Sequence, residues 1–320
     1  MLNVFLTVDV EIWCDGWADI DRKFPQAFRS YIYGPTPAGE YGLRYQAELL
    51  RAHGLNGVFF VEALFACRFG NAPLSEIVGV LRDAGQEIQL HLHTEWVDEA
   101  LTPLLPDITS KRQFLRNFNR DEQTQLIAEG VRRLGAAGAP PVNCFRAGSF
   151  GFNTDTLAAL GANGIHLDSS YNATIFGLDS GLAPGTVLTD VYCEGGLTEF
   201  PLTVFDPGLG RLRHAQLGAC SWAELEGLLW RALKTGQQSF VLLSHNFELL
   251  TPSKTRPDPV VVRRFQRLCA FLDRHRDKFR TRGFHGIDGI RPRSQPQPLH
   301  SSAWASMSRT LEQVYRRVYT

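Results

Sequence analysis

The chain alternates strand-like and helix-like segments along most of its length, and this alternation limits the folds that it can adopt. Short apolar runs bounded by turn residues are typical of buried strands, whereas apolar residues three and four apart are typical of amphipathic helices. The predicted strands are Leu2 to Val10, Asn56 to Glu62, one within Gly85 to Trp96, Val142 to Arg146, Ile165 to Asp168, Thr198 to Phe205 and Ser239 to Ser244. Such an order predicts a mostly parallel sheet with right-handed crossovers.

Helices are predicted between these strands. They are Tyr41 to His53, Leu74 to Ala84, Arg120 to Leu134, Asn153 to Leu160, Trp222 to Leu233 and Pro259 to Phe279. Six or seven strand–helix units favour a single (β/α) barrel domain over residues 1–290 rather than two open sheets. Residues 12–39 show no clear period and are expected to form a long loop. The tail 291–320, rich in Pro, Ser and Gln, is expected to be a linker with a short helix from Leu311 to Val318.

Composition narrows the range of partners. Equal numbers of basic and acidic residues, 33 of each, give a formal net charge of zero, which argues against a general surface for nucleic acid or anionic membrane and leaves only a local patch. No apolar run approaches the ~18 residues of a membrane span. No signal peptide precedes the first strand, so a cytoplasmic protein is expected. The six cysteines form no CxxC pair, which favours free thiols, and the oligomeric state stays open.

Polar residues follow the ends of several predicted strands. His91 and His93 lie two residues apart and would share one face of a strand, which Glu95 continues if the strand persists. Two imidazoles and a carboxylate are a ligand set of the kind that zinc prefers. The other residues at strand ends are Asp9, Glu11, Arg146, Asp168 and His245. Because catalytic groups of (β/α) barrels gather at the carboxyl ends of the strands, this pattern predicts a functional site there.

Five short motifs follow one another between residues 2 and 250. They are Thr7-Val8-Asp9-Val10-Glu11, Gly85-Gln86-Glu87-Ile88-Gln89-Leu90-His91, Phe145-Arg146-Ala147-Gly148-Ser149-Phe150-Gly151, the segment from Asn153 to Asp168, and Val241-Leu242-Leu243-Ser244-His245. In this order they resemble the motifs of the polysaccharide deacetylases of carbohydrate esterase family four, which carry the NodB-homology domain. The resemblance implies a distorted seven-stranded TIM-like barrel and a metal-dependent hydrolase that removes N-acetyl groups from carbohydrates.

The chain departs from the family pattern at two positions, which define a branch with Asp-Val-Glu and His-x-His motifs. The second aspartate of the family's first motif, usually a metal ligand, corresponds to Val10, and Glu11 is the substitute. The family's second histidine corresponds to Glu95. The resemblance therefore implies Glu11 and His91 as metal ligands, with either His93 or Glu95 as the third. Zn²⁺ is the metal expected first, although this donor set also suits cobalt, nickel, iron or manganese.

The remaining strand-end residues receive roles from the same resemblance. Asp9 is expected to be the general base that takes a proton from water. Arg146 is expected to orient Asp9 through a bidentate ion pair, which also favours the ionised carboxylate. His245 is expected to be the general acid that protonates the departing amine, and Asp168 is expected to tune His245.

The function that these residues predict is hydrolysis of a carbon–nitrogen bond in a carbohydrate or small-molecule substrate. A substrate available in the cytoplasm, such as a lipid-linked or nucleotide-linked N-acetyl sugar, fits the expected location. An allantoinase-like cyclic amidase is the alternative enzyme. The non-enzymatic alternative is a catalytically silent carbohydrate-binding barrel. The departures from the family motifs at Val10 and Glu95 favour this alternative. Metal stoichiometry separates the silent barrel from the two enzymes.

Overall fold

The computed structural model describes residues 1–106, 108, 110–208, 210–287, 290 and 294–319. Its strands are β1 (Leu2–Val10), β2 (Pro35–Thr36), β3 (Gly39–Glu40), β4 (Gly57–Glu62), β5 (Glu87–Leu92), β6 (Cys144–Ala147), β7 (Leu167–Asp168), β8 (Tyr192–Glu194), β9 (Leu197–Glu199), β10 (Val204–Asp206), β11 (Arg213–His214), β12 (Ser239–His245), β13 (Phe279–Thr281) and β14 (Leu299–His300). Its α-helices are α1 (Ile20–Phe28), α2 (Leu43–Ala52), α3 (Ala66–Phe69), α4 (Asn71–Asp83), α5 (Arg120–Ala136), α6 (Thr154–Ala162), α7 (Trp222–Thr235), α8 (Pro259–Arg274) and α9 (Ala303–Tyr319). A π-helical turn covers Arg29–Tyr33, and 3₁₀ turns cover Thr94–Glu99, Leu115–Asn117, Gly148–Phe150 and Gly177–Asp179. In the described part of the chain, no helix has the length and hydrophobicity of a membrane span.

One curled sheet organises the fold. Seven strands are parallel neighbours in the order β12-β1-β4-β5-β6-β7-β9. Strand β8 lies antiparallel to β9, and β13 pairs with the first residues of β1. No regular strand pair of the described residues joins β9 to β12. Backbone hydrogen bonds from Thr203 to Val241 and from Leu217 to Leu243 bridge this side of the curled sheet. The predicted parallel sheet and distorted seven-stranded barrel are confirmed, in the form of a half-barrel.

Alternation along the strands separates two cores. In β1, Leu6 and Val8 belong to the main core between the sheet and the helices, whereas Phe5 belongs to a smaller cluster in the barrel interior. Because successive side chains of a strand face opposite sides, Thr7 and Asp9 lie on the same side as Phe5. Along β1 the interior face therefore changes from apolar at Phe5 to polar at Thr7 and Asp9.

Residues 12–39 are not a long loop, and this prediction was wrong. Helix α1 lies within them and buries Ile20, Phe24 and Phe28, which are spaced four residues apart on one helix face. Pro25 stands inside the helix, where a proline ordinarily argues against helical structure. The apolar spacing was present in the sequence, but the proline and the surrounding Gly and Trp residues concealed it.

Two other predicted elements differ from the structure. The helix predicted from Pro259 to Phe279 ends at Arg274, because Phe279 begins β13 and pairs with β1. The extended segment from Thr198 to Phe205 is divided between β9 and β10, which lie in different sheets.

The described part of the tail packs against the barrel instead of forming a free linker. The Gln295 side chain accepts hydrogen bonds from the backbone N–H groups of Thr189 and Asp190, at 2.8 and 2.9 Å. Strand β14 pairs with β10, and α9 packs on α7. The helix predicted from Leu311 to Val318 thus belongs to a longer one. Residues 291–293, where the predicted linker begins, lie outside the described residues, and the domain boundary at 290 stays a prediction.

Candidate active site

A glutamate and two histidines meet at the carboxyl ends of β1 and β5. Glu11 follows β1, His91 lies in β5 and His93 follows it. The Glu11 Oε1 atom lies 2.9 Å from His93 Nε2 and 3.3 Å from His91 Nε2. All three side chains are buried, and their ligand atoms lie within 4.8 Å of one another. These three residues are called the Glu11 cluster below.

The second ring nitrogen of each imidazole is already engaged. His91 Nδ1 lies 2.8 Å from the Arg146 carbonyl oxygen, and His93 Nδ1 lies 3.2 Å from Glu95 Oε2. Because a carbonyl and a carboxylate only accept hydrogen bonds, each Nδ1 donates and each Nε2 keeps its lone pair when the ring is neutral. The structure thus brings His93, and not Glu95, beside Glu11 and His91. Glu95 instead lies on the far side of the His93 ring.

This arrangement fits a divalent metal ion. Two imidazole Nε2 atoms and one carboxylate oxygen converge, a donor set that suits Zn²⁺ and its neighbours in the transition series. The other carboxylate oxygen, Glu11 Oε2, accepts a 2.8 Å hydrogen bond from Trp13 Nε1. The Trp13 ring also contacts His93 edge to face, with centroids 4.7 Å apart. The three side chains are therefore held in place by neighbours that do not occupy the converging atoms.

The charges in the Glu11 cluster stabilise one another. Burial raises the pKa of Glu11, but the charges and hydrogen bonds of His93 and His91 outweigh this and lower its pKa well below the ordinary value. Burial lowers the pKa of His93, but Glu11 and Glu95 raise it well above the ordinary value. The carboxylate is thus ionised, and a cation that binds here must displace a proton from His93.

Asp9 and Arg146 form a buried ion pair beside the cluster. Arg146 Nη1 donates to Asp9 Oδ1 at 2.7 Å and to Thr7 Oγ1 at 2.9 Å. The other guanidinium nitrogens, Nε and Nη2, donate to the carbonyl and hydroxyl oxygens of Ser169. Arg146 therefore holds Asp9 through one hydrogen bond rather than the bidentate pair that was predicted.

His245 completes this side of the site from the end of β12. One ligand atom each of Asp9, Glu11 and His245 lies within 4.8 Å of the others. The His245 Nδ1 atom lies 3.0 Å from Glu248 Oε1. Burial lowers the pKa of His245, but the hydrogen bond to Glu248 and the negative charge of Glu11 raise it to about 9. His245 is therefore protonated at neutral pH.

The predicted pairing of Asp168 with His245 is wrong. Asp168 accepts a 2.7 Å hydrogen bond from Ser170 Oγ and pairs in register with Glu199 on the neighbouring strand. Both carboxyl groups are buried, and burial raises the pKa of each. The proximity of Asp168 raises the pKa of Glu199 further, well above the ordinary value. Glu199 thus keeps a proton and shares it with Asp168. These two residues are called the carboxyl pair below.

Three residues that support the site were not predicted from the sequence. Glu62 at the end of β4 accepts hydrogen bonds from the backbone N–H groups of residues 64, 65 and 93, and burial raises its pKa to about 7. Asn246 exchanges hydrogen bonds with both backbone groups of Glu11. Glu248 holds His245. Glu62 and Asn246 lie at strand ends, like the residues that were predicted, and Glu248 lies three residues after His245. These positions in the sequence could have indicated all three residues as members of the site.

A glycine lets the loop after β6 approach the cluster. A Cβ atom added to Gly148 would lie 2.6 Å from the Leu92 carbonyl oxygen and 2.8 Å from His93 Cγ. The next residue, Ser149, has φ of 50°, in the left-handed region that non-glycine residues seldom adopt. The motif from Phe145 to Gly151 therefore contributes Arg146 to the site and also requires a glycine at position 148, where the backbone contacts His93.

The fold and the site define a class of protein. It is a parallel (β/α) half-barrel whose strands carry, at their carboxyl ends, a cluster of residues that could hold a metal ion. No family model matches the chain, and no curated protein matches it in sequence. Several solved structures are similar to it. A candidate polysaccharide deacetylase from Mycobacterium smegmatis is 19% identical, with 91% of this chain and 94% of that one covered and a TM-score of 0.49.

Two further solved structures are similar over most of this chain. A family 4 carbohydrate esterase from Streptomyces lividans, in complex with acetate, is 12% identical, with 87% of this chain and 91% of that one covered and a TM-score of 0.42. A pseudoenzyme of the same family from Bacillus anthracis is 13% identical, with 87% and 63% covered and a TM-score of 0.43. These proteins are of the family that the five sequence motifs resemble.

Proposed function

We propose that the protein is a metal-dependent hydrolase that removes acetyl groups from an N-acetylated carbohydrate. The observation that carries this proposal is the convergence of the Glu11 cluster beside an aspartate held by Arg146, with a protonated His245 within reach. These are the parts that amide hydrolysis needs: a metal site, a general base and a general acid.

The proposed metal is Zn²⁺, held by Glu11, His91 and His93. Such an ion polarises a carbonyl oxygen and lowers the pKa of a bound water towards about 7. Asp9 takes a proton from the attacking water. Arg146 supports this role because its guanidinium keeps the Asp9 carboxylate oriented, and the Ser169 contacts in turn keep Arg146 in place.

His245 donates a proton to the departing nitrogen. The oxygen of the water forms a bond to the acetyl carbon, the carbon–nitrogen bond breaks, and the products are acetate and a free amine. Glu248 supports this step because it stabilises the imidazolium form of His245 until the proton is transferred. After the reaction, the proton that Asp9 received can return through water to His245, which restores both groups to their starting state.

The surface beside the cluster suggests the kind of carbohydrate. A cleft of about 320 Å³ is bordered by the aromatic rings of Trp13 and Tyr31 and by the basic side chains of Arg22, Lys23 and Lys254. Aromatic rings suit the apolar face of a sugar, and clustered cations suit a phosphate. An N-acetyl sugar that carries a phosphate, as in lipid-linked or nucleotide-linked sugars, is therefore the proposed substrate class. The cytoplasmic location stays a prediction.

The test is acetate release from a panel of N-acetyl sugars with and without a phosphate group. Wild-type protein should release acetate, lose this activity after chelation and regain it with Zn²⁺. The Asp9→Asn variant should lose this activity, and the exposed Asp277→Asn variant should retain it as the matched control. Bound metal with ring opening of a cyclic amide instead of acetate release would favour the cyclic amidase. Absence of bound metal, together with absence of both reactions, would favour a silent carbohydrate-binding barrel.

A further inference from the structure

Helix α9 presents an apolar face to solvent. Trp304, Met307, Leu311 and Val314 are 69%, 50%, 63% and 55% exposed. Their spacing of three and four residues places them on one side of the helix. An amphipathic helix of a globular protein ordinarily turns this face towards the core. Here the apolar face forms a continuous exposed stripe.

The polar face of α9 is the one attached to the body. Arg309 pairs with the buried Glu224 at 3.0 Å, and Arg316 pairs with the buried Asp258 at 2.6 Å. Glu312 pairs with the buried Arg264 at 2.5 Å. Because breaking a buried ion pair is strongly unfavourable, these contacts fix the rotation of the helix about its axis. The outward direction of the apolar stripe is thus built into the fold.

Arginines border the apolar stripe. Arg263 and Arg267 lie one turn apart on α8 and line, with Leu311, a cleft of about 370 Å³ between α8 and α9. Both are exposed, and neither forms an ion pair with any residue that the structure describes. Arg317 is exposed near the end of α9. The nearby acidic groups Glu224, Asp258 and Glu312 already pair with other arginines, so the border of the stripe is basic.

We infer that this face of α9 and α8 binds the surface of an anionic lipid bilayer. The apolar side chains enter the boundary between headgroups and acyl chains, with Trp304 in the interfacial zone that tryptophan prefers. Arg263, Arg267 and Arg317 lie beside the anionic headgroups. A helix that lies on a bilayer in this way does not cross it.

The basic border argues against a second copy of the chain as the occupant. Two such surfaces placed face to face would bring arginines of like charge together, which disfavours association. An anionic lipid surface complements both the apolar stripe and its border. This inference rests on α9 and α8 alone and is independent of the proposed hydrolase activity.

The test is co-sedimentation of the purified full chain with vesicles of phosphatidylcholine, with and without phosphatidylglycerol. We expect binding to the anionic vesicles that weakens as salt is added. The double variant Met307→Ser, Leu311→Ser should lower the partition coefficient at least about tenfold, because two side chains lose their apolar burial. The double variant Leu101→Ser, Leu178→Ser changes two exposed leucines elsewhere and should bind like wild type.

A second pair of variants tests the arginines. Arg263→Gln with Arg267→Gln should weaken binding to anionic vesicles about tenfold or more while binding to pure phosphatidylcholine is unchanged. Circular dichroism and thermal unfolding establish that each variant is folded. Absence of vesicle binding by wild type, or equal binding by the Met307→Ser, Leu311→Ser variant, would overturn the inference. A dimer seen by light scattering and lost in that variant would overturn it in favour of a second copy.

Discussion

The Glu11 cluster and the carboxyl pair each contain a buried glutamate near the carboxyl ends of the parallel strands, yet the pKa values of the two glutamates shift in opposite directions. Glu11 is surrounded by His91 and His93, and its pKa is lowered despite burial. Glu199 lies beside Asp168, and its pKa is raised by burial and by that neighbouring carboxyl. Burial acts in the same direction on both glutamates. The charge of the neighbours therefore decides which acid is ionised.

This difference separates a chemical role from a structural one. An ionised carboxylate with two imidazole nitrogens offers a cation three converging donors. A carboxyl group that shares a proton offers no such charge, and Glu199 instead accepts a 3.0 Å hydrogen bond from the Tyr171 backbone N–H. Arg146 stands between the two groups but forms its carboxylate contact with Asp9. Substitutions in the two groups should therefore have different effects on activity, metal binding and stability.

The largest effect is expected from the proposed general base. Asp9→Asn should lower kcat/KM for acetate release about 10³-fold, because the neutral amide takes no proton from water. Metal content should be unchanged. The same substitution in the carboxyl pair, Asp168→Asn, should cost less than about tenfold, since its role is structural. Equal losses in the two variants would contradict the division of roles.

Next in size is the contact that orients His93. Glu95→Gln should weaken metal binding about 10- to 100-fold, because the His93 ring loses the carboxylate that fixes its Nδ1 proton. Competition with a chelating dye measures this affinity. Glu99→Gln, in the same 3₁₀ turn but in contact with Lys111, should leave the affinity unchanged. An affinity for Glu95→Gln equal to wild type would show that this contact does not support the cluster.

A smaller effect is expected in the pH profile. Because the His245 pKa is raised to about 9 and the proposed acid must carry a proton, kcat/KM should fall as pH rises through about 9. Glu248→Gln removes the negative partner, so the imidazolium is less stable and the alkaline limb should move towards the ordinary histidine pKa of 6.5. Initial rates over a pH series measure the shift. If the alkaline limb does not move in Glu248→Gln, a group other than His245 is responsible for it.

The smallest effect concerns stability. The raised pKa of Glu199 means that ionisation disfavours the folded state, so its contribution to stability is present below the ordinary pKa of 4.5 and lost as pH rises towards the raised value. Glu199→Gln keeps a hydrogen-bond donor for Asp168 without an ionisable proton. Relative to wild type it should gain stability as the pH rises from 5 to 8, because the variant has no carboxyl proton to lose.

Urea unfolding at the two pH values measures this gain. Glu194→Gln, on the neighbouring strand β8 and exposed, is the matched control and should show no change with pH beyond wild type. A Glu199→Gln variant that loses stability at pH 8 as much as wild type would mean that the pair is not a source of the pH dependence.

Much of the fold and part of the site could be predicted from the sequence. Strand and helix periods are local properties, so the parallel order and the strand ends that carry Asp9, Glu11 and His91 were accessible. The choice between His93 and Glu95 was not, because it depends on how the chain turns after β5. The partner of Glu199 depends on the register of β7 with β9, which no local pattern determines.

Helix α9 illustrates the same limit on the outside of the molecule. Its sequence has an apolar face, and sequence reasoning would turn that face inward. Only the positions of Glu224 on α7 and of Asp258, the N-cap of α8, explain why Arg309 and Arg316 face the body instead. The local sequence therefore predicts that α9 is a helix, but tertiary contacts determine which of its faces is turned towards the body.

Metal content tests the proposed metal site most directly. It is measured by mass spectrometry on wild type and two double variants after equilibration with Zn²⁺. Wild type should hold about one ion per chain, the Glu11→Ala, His91→Ala variant none, and the Asp168→Asn, Glu199→Gln variant about one. An ion that persists in Glu11→Ala, His91→Ala, or no ion in wild type, would contradict the central claim that the Glu11 cluster is a metal site.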